Sequence, residues 1–91
     1  MKNKITYLDY ASSTPIDSRV KKVVLKYIDF FGNPSSLHLA GRKAKKIMEE
    51  SRQKVAGVLN CRPEEIVFTG SGTEANNMAV FGIALANKNR G

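Results

Sequence analysis

Cysteine is nearly missing: Cys61 stands alone among 91 residues, so no internal disulfide can form and the composition fits a reducing compartment. Long apolar runs are missing too. The longest uncharged one, Met78 to Ala86, falls far short of the ~20 residues needed to cross a bilayer. There is no leader-like series at the start, because Met1-Lys2-Asn3-Lys4 passes directly into the strand-like Ile5-Thr6-Tyr7-Leu8. The reading is of a cytoplasmic protein with no membrane partner. Internal repeats, low-complexity tracts and interdomain linkers are also absent, and the length allows one hydrophobic core at most.

Acidic residues are scarce. Eight oppose fifteen lysines and arginines, giving a formal charge of +7, a balance that invites a nucleic-acid reading. The distribution argues against it. Arg42, Lys43, Lys45, Lys46, Arg52 and Lys54 share one helical stretch with Glu49 and Glu50, and the pairs Lys45/Glu49, Lys46/Glu50 and Glu50/Lys54 stand four apart. A solvated helix face accounts for such a pattern.

The apolar spacing predicts an α/β order of elements. Ile5 to Tyr10 reads as a short strand, followed by a turn in which Thr14 caps a helix with Pro15 at its first position. Val20, Val23, Val24, Tyr27, Ile28 and Phe31 recur at three-and-four spacing and predict one buried face, ended by Gly32-Asn33-Pro34. Ser35 or Ser36 is the expected cap of a second, longer helix carrying the stripe Leu37, Ala40, Ala44, Ile47, Met48, Val55, Val58 and Leu59, with Asn60 and Pro63 ending it. Glu65 to Thr69 then reads as a strand buried on both faces, and a third helix from about Thr73 to Asn87 is apolar nearly all round. Elements so apolar need neighbouring strands and layers that these residues do not supply.

Between that strand and the third helix lies Thr69-Gly70-Ser71-Gly72-Thr73-Glu74-Ala75-Asn76-Asn77. Gly70 and Gly72 can take positive φ and admit a ligand close to the backbone, the helix start offers unpaired amides, and Thr73 adds a hydroxyl. These are the parts of a phosphate cradle. There is no Gly-Lys-Ser/Thr ending and no glycine three residues after Gly72, which disfavours a Walker loop and a dinucleotide fingerprint. The same residues also suit a plain strand-to-helix turn capped by Ser71 or Thr73. Both readings stand on the residues alone.

Three ordered motifs carry a resemblance: Tyr7-Leu8-Asp9-Tyr10-Ala11-Ser12-Ser13-Thr14-Pro15, Phe31-Gly32-Asn33-Pro34-Ser35-Ser36-Leu37-His38, and Ile66-Val67-Phe68 followed by the Thr69 to Asn77 turn. Together they resemble the N-terminal region of cysteine desulfurases, and the Gly-Asn-Pro-Ser-Ser stretch resembles the nitrogen-fixation and iron-sulfur assembly branch. The resemblance implies the N-terminal part of a pyridoxal-phosphate-dependent transferase of fold type I, aminotransferase class V. On this view residues 1–91 are an incomplete α/β fragment. About 1–60 form the N-terminal strand and helices, and about 61–91 begin the strand-loop-helix of the large, cofactor-binding domain. The implied activity converts cysteine to alanine and passes the sulfur on as a persulfide. The implied assembly is a homodimer serving an iron-sulfur scaffold or a tRNA-thiolation factor.

Carried over residue by residue, the resemblance places Gly72 and Thr73 on the cofactor phosphate and Asn33 near the substrate carboxylate, where its other reading is a turn residue before Pro34. Ala11, Ser12 and Ser13 resemble a segment lining the substrate entrance, and Asp9 matches a structural strand position. His38, the only histidine, does not match the family's cofactor-stacking histidine and reads as a helix-start or interface side chain. Cys61 matches no catalytic position. The cofactor-bearing lysine, the pyridine-nitrogen aspartate and the persulfide cysteine have no counterparts here, so no catalytic residue and no metal site is assigned and the isolated chain is expected to be inactive. Other readings are a stand-alone protein- or RNA-binding module, half of a split enzyme, or a relative such as a selenocysteine lyase.

Overall fold

The computed structural model describes residues 4–90. They form α1 (Ser18–Tyr27), α2 (Leu39–Leu59), a 3-10 turn at Pro63–Glu65 and α3 (Gly72–Ala86).

Helix α1 begins later than Thr14 and Pro15 predict. Asp17 is its N-cap, with Oδ1 accepting the Arg19 N–H at 2.8 Å. The same carboxylate takes the Arg19 guanidinium at 3.0 and 2.9 Å. Two local gains at Asp17 outweigh the single cap that Thr14 could offer. The side-chain bond to Arg19, and then the backbone one, hold the Asp17 carboxyl below the ordinary aspartate value.

The cap of α2 is likewise not Ser35 or Ser36 but His38, whose Nδ1 accepts the Gly41 N–H at 3.2 Å. The serines are engaged one turn earlier, with Ser35 N–H on Asn33 Oδ1 and Ser36 N–H on the Asn33 carbonyl, both at 2.9 Å. That turn lies hard against the start of α2. A Cβ on Gly41 would stand 2.4 Å from the Ser36 carbonyl oxygen, and one on Gly32 would stand 2.5 Å from that of Ala40. The far end of α2 follows expectation: Asn60 adopts the left-handed conformation (φ 54°, ψ 46°), and its N–H and that of Cys61 turn back to the Ala56 carbonyl.

No strand forms among the described residues, which corrects the expectation at Ile5 to Tyr10 and at Glu65 to Thr69. A strand exists by its ladder, and no second extended segment lies alongside either one. Glu65 closes the 3-10 turn, and Ile66 is extended at φ −94° and ψ 126°. The segment after it is held instead by Arg52 of α2, which donates through Nη1 to the Ile66 carbonyl and stacks its guanidinium 4.9 Å from the Phe68 ring. Arg52 also meets Glu49 at 3.1 Å. At the other extended segment, the Tyr7 hydroxyl lies 2.9 Å from both the Asp9 and Ser13 carbonyls, and Ser12 Oγ caps the Asp9 carboxylate at 2.5 Å.

The expected burial does not appear either. Val20, Val23 and Val24 of α1 are 53–56 % exposed, and Phe81, Ile83 and Leu85 of α3 are 63–68 % exposed. Ala56 is the one buried apolar side chain among the described residues. Among the described residues only α2 and the 3-10 turn pack together, and neither α1 nor α3 lies against another helix. The radius of gyration is 18.6 Å, where about 12 Å suits a compact domain of this length. The accessible surface is 8736 Å², against about 5,200 Å² for a folded monomer of this mass. The apolar faces of α1 and α3 are thus formed but uncovered.

Candidate functional site

Local sequence sets the start of α3. Ser71 is extended (φ −163°, ψ 163°) and caps the helix, its Oγ accepting the Glu74 N–H at 3.1 Å. Its carbonyl accepts the Ala75 N–H at 3.1 Å, the first bond of the helical ladder, and the Thr69 hydroxyl at 3.1 Å. Gly72 and Thr73 therefore occupy the first two helical positions, where backbone N–H groups lack intrahelical acceptors. Neither amide, nor the Thr73 hydroxyl, has a hydrogen-bond partner among the described residues.

The turn does not use its glycines as expected. Among the described residues Gly32 is the one glycine with positive φ, so Gly70 and Gly72 remain in ordinary backbone regions. What Gly70 supplies is room, because an added Cβ would stand 3.3 Å from Glu74 Oε2. That oxygen accepts the Gly70 N–H at 2.9 Å, so the carboxylate turns back over the loop. Electrostatically, a fifteen-residue helix with three open donors in its first turn favours an anion there, while Glu74 in the same turn is itself favoured by the dipole.

The remaining sequence-derived positions do not join this turn through any hydrogen bond. Asn33 spends its side-chain oxygen on Ser35 N–H, the turn role that stood beside its substrate-proximal one. His38 has the helix-start role, its Nδ1 accepting the Gly41 N–H. Cys61 is free and half-buried behind the Asn60 cap. A shallow groove of about 360 Å³ beside the turn is lined by Glu65, Val67, Thr69, Ala75, Met78 and Ala79, and does not include Gly72 or Thr73. Arg52 is the positioning residue that sequence reasoning missed: its partner carbonyl lies fourteen residues away, and periodicity marked it only as part of a charged face.

A helix whose first turn offers open amides and a threonine hydroxyl, led into by an extended segment that Arg52 of α2 holds, defines a candidate anion site of the kind that holds a phosphomonoester. The aminotransferase class-V family matches residues 6–91, and the chain belongs to that family. Within it, the chain is 45 % identical over 86 residues to cysteine desulfurase IscS 1 of Archaeoglobus fulgidus, covering 93 % of this chain and 22 % of the relative. It is 42 % identical over 92 residues to cysteine desulfurase IscS of Dictyoglomus turgidum, covering 100 % of this chain and 23 % of the relative. With the cysteine desulfurase of Frankia sp. it shares 45 % over 78 residues, 85 % of this chain and 19 % of the relative. The chain thus spans about a fifth of the length of the curated relatives it matches. No solved structure matches it.

Proposed function

We propose that this chain is the N-terminal segment of a pyridoxal-phosphate-dependent cysteine desulfurase of the nitrogen-fixation and iron-sulfur assembly branch. The parent converts L-cysteine to L-alanine with an enzyme persulfide as the sulfur carrier, and delivers that sulfur to an iron-sulfur scaffold or a tRNA-thiolation factor. It is a cytoplasmic homodimer. The observation that carries this reading is the coincidence of the open helix start at Gly72 and Thr73 with a stretch aligned to desulfurases at 42–45 % identity.

The donor set fits the phosphate end of the cofactor. Gly72 N–H, Thr73 N–H and the Thr73 hydroxyl would hold the phosphate, with the α3 dipole favouring its charge. When bound, pyridoxal phosphate supplies an electron sink for the substrate amine carbon. Asn33, if the Asn33–Ser35 turn opens, would offer its amide to a substrate carboxylate. Nothing in residues 1–91 supplies the covalent anchor or the acceptor thiol, and the chain alone is inactive.

The test follows the reading frame past the Gly91 codon and expresses whatever it encodes. The expected product is a protein that releases sulfide and alanine one-to-one from cysteine under reductant, while residues 1–91 alone release neither. Stoichiometric turnover by the 91-residue chain, or a frame that closes with no complementary segment, overturns the proposal. The uncovered apolar faces of α1 and α3 favour one second reading, a stand-alone protein-binding module. Concentration-dependent assembly of the 91-residue chain without desulfurase activity in any longer product would support it.

A further inference from the structure

A Ser-x-x-Glu helix start ordinarily closes on itself, the serine capping the amide of the third helical residue and the glutamate returning to the N–H of the serine. Ser71 and Glu74 have that spacing, and the serine half is present at 3.1 Å. The glutamate half is displaced. Glu74 Oε2 reaches past Ser71 to the Gly70 N–H at 2.9 Å, and Gly70, lacking a Cβ, leaves space for it. The Ser71 N–H is consequently left without an acceptor among the described residues. Thr69 Oγ1 closes the same turn from its other end on the Ser71 carbonyl.

Resting on the phosphate reading above, we infer that Glu74 is a positioning residue whose carboxylate latches the turn at Gly70, so that three successive amides, Ser71, Gly72 and Thr73, stay open to a phosphomonoester. The latch opposes a second property of the same side chain. A carboxylate in the first turn repels an incoming dianion, so removing the charge and removing the latch act in opposite directions on affinity. Glutamine keeps an acceptor oxygen and drops the charge. Alanine drops both.

The variants Glu74→Gln and Glu74→Ala of the full chain separate these effects, with inorganic phosphate as the probe and the amide resonances of residues 70–73 as the readout. Glu74→Gln is expected to bind phosphate as tightly as the parent chain or tighter, and Glu74→Ala about fivefold or more weakly than Glu74→Gln, the size of one lost hydrogen bond. Hydrogen exchange at Gly70 should accelerate in Glu74→Ala alone, with exchange in the body of α3 unchanged as the control for folding. Binding by Glu74→Ala as tight as, or tighter than, that by Glu74→Gln overturns the latch, because the side chain is then only a repelling charge. Unchanged Gly70 exchange in Glu74→Ala overturns it as well, whether or not phosphate binds. If phosphate moves no amide in the parent chain while Gly70 exchange still responds to Glu74→Ala, the latch stands and the phosphate reading falls.

Discussion

Arg52 is the side chain whose removal should change most where α2 holds the segment after the 3-10 turn. It is 19 % exposed and ends in three contacts: the Ile66 carbonyl, the face of Phe68 at 4.9 Å and Glu49 at 3.1 Å. A hydrogen bond from a charged donor contributes about 1.5–3 kcal/mol and a partly exposed cation–π contact about 0.5–1 kcal/mol. The pair with the 43 % exposed Glu49 side chain adds at most a few tenths of a kcal/mol. Because one guanidinium makes all three contacts they do not simply add, and about 2 kcal/mol is the working figure for Arg52→Ala, a factor of roughly 30 in the opening of this segment. Amide exchange reads it directly. Ile66 N–H is held at 3.1 Å by the Pro63 carbonyl, and Glu65 N–H at 3.0 Å by that of Arg62, so both should exchange some tenfold or more faster in Arg52→Ala, with mid-α2 amides unaffected. Arg52→Lys should fall between, since lysine keeps the charge but not the planar fork that donates and stacks together. Exchange at Ile66 unchanged in Arg52→Ala would refute the pinning.

Three further outcomes are expected. Gly41→Ala forces a methyl to within 2.4 Å of the Ser36 carbonyl and should cost about 1–3 kcal/mol at the start of α2, seen as a loss of helicity by circular dichroism and fraying by exchange. His38→Ala removes the α2 cap and should cost about 1 kcal/mol, while His38→Asn, which can cap in the same place, should recover most of it. The Asp17 carboxyl is lowered in the folded state by Arg19, so its contribution to α1 is present above the ordinary aspartate range and lost as pH falls through the lowered value. Acid titration of α1 amides should therefore show fraying only at the acid end, and Asp17→Asn should flatten that response.

The helices were legible in the chain because their signals are local. The αL turn at Asn60 and the start of α3 at Ser71 and Gly72 follow from cap chemistry within a few residues, whereas α1 stops at Tyr27, short of the Phe31 that its apolar spacing included. The two displaced starts show where local reasoning chose wrongly among neighbours: Asp17 outbid Thr14 by engaging Arg19 twice, and His38 took the cap that Ser35 and Ser36 surrendered to the Asn33 turn. The strands at Ile5 and Glu65 were not recoverable in the fold for the converse reason, since apolar β-branched residues express a preference that only a neighbouring strand can satisfy. The unburied faces of α1 and α3 have the same cause. At the candidate site, the positions of Gly72 and Thr73 at a helix start were readable, whereas the Glu74 reach to Gly70 and the Arg52 anchor depend on side-chain geometry that spacing does not encode.

The claim at the centre is that the first turn of α3 holds the phosphate of pyridoxal phosphate, and one titration tests it most directly. The chain, labelled at its amides, is titrated with pyridoxal phosphate and separately with pyridoxal, which lacks the phosphate. Pyridoxal phosphate should shift Gly72 and Thr73 saturably, Thr73→Ala should weaken the effect, and pyridoxal should leave both resonances in place. Equal shifts with pyridoxal, or saturable binding of pyridoxal phosphate that leaves Gly72 and Thr73 unmoved, would contradict it.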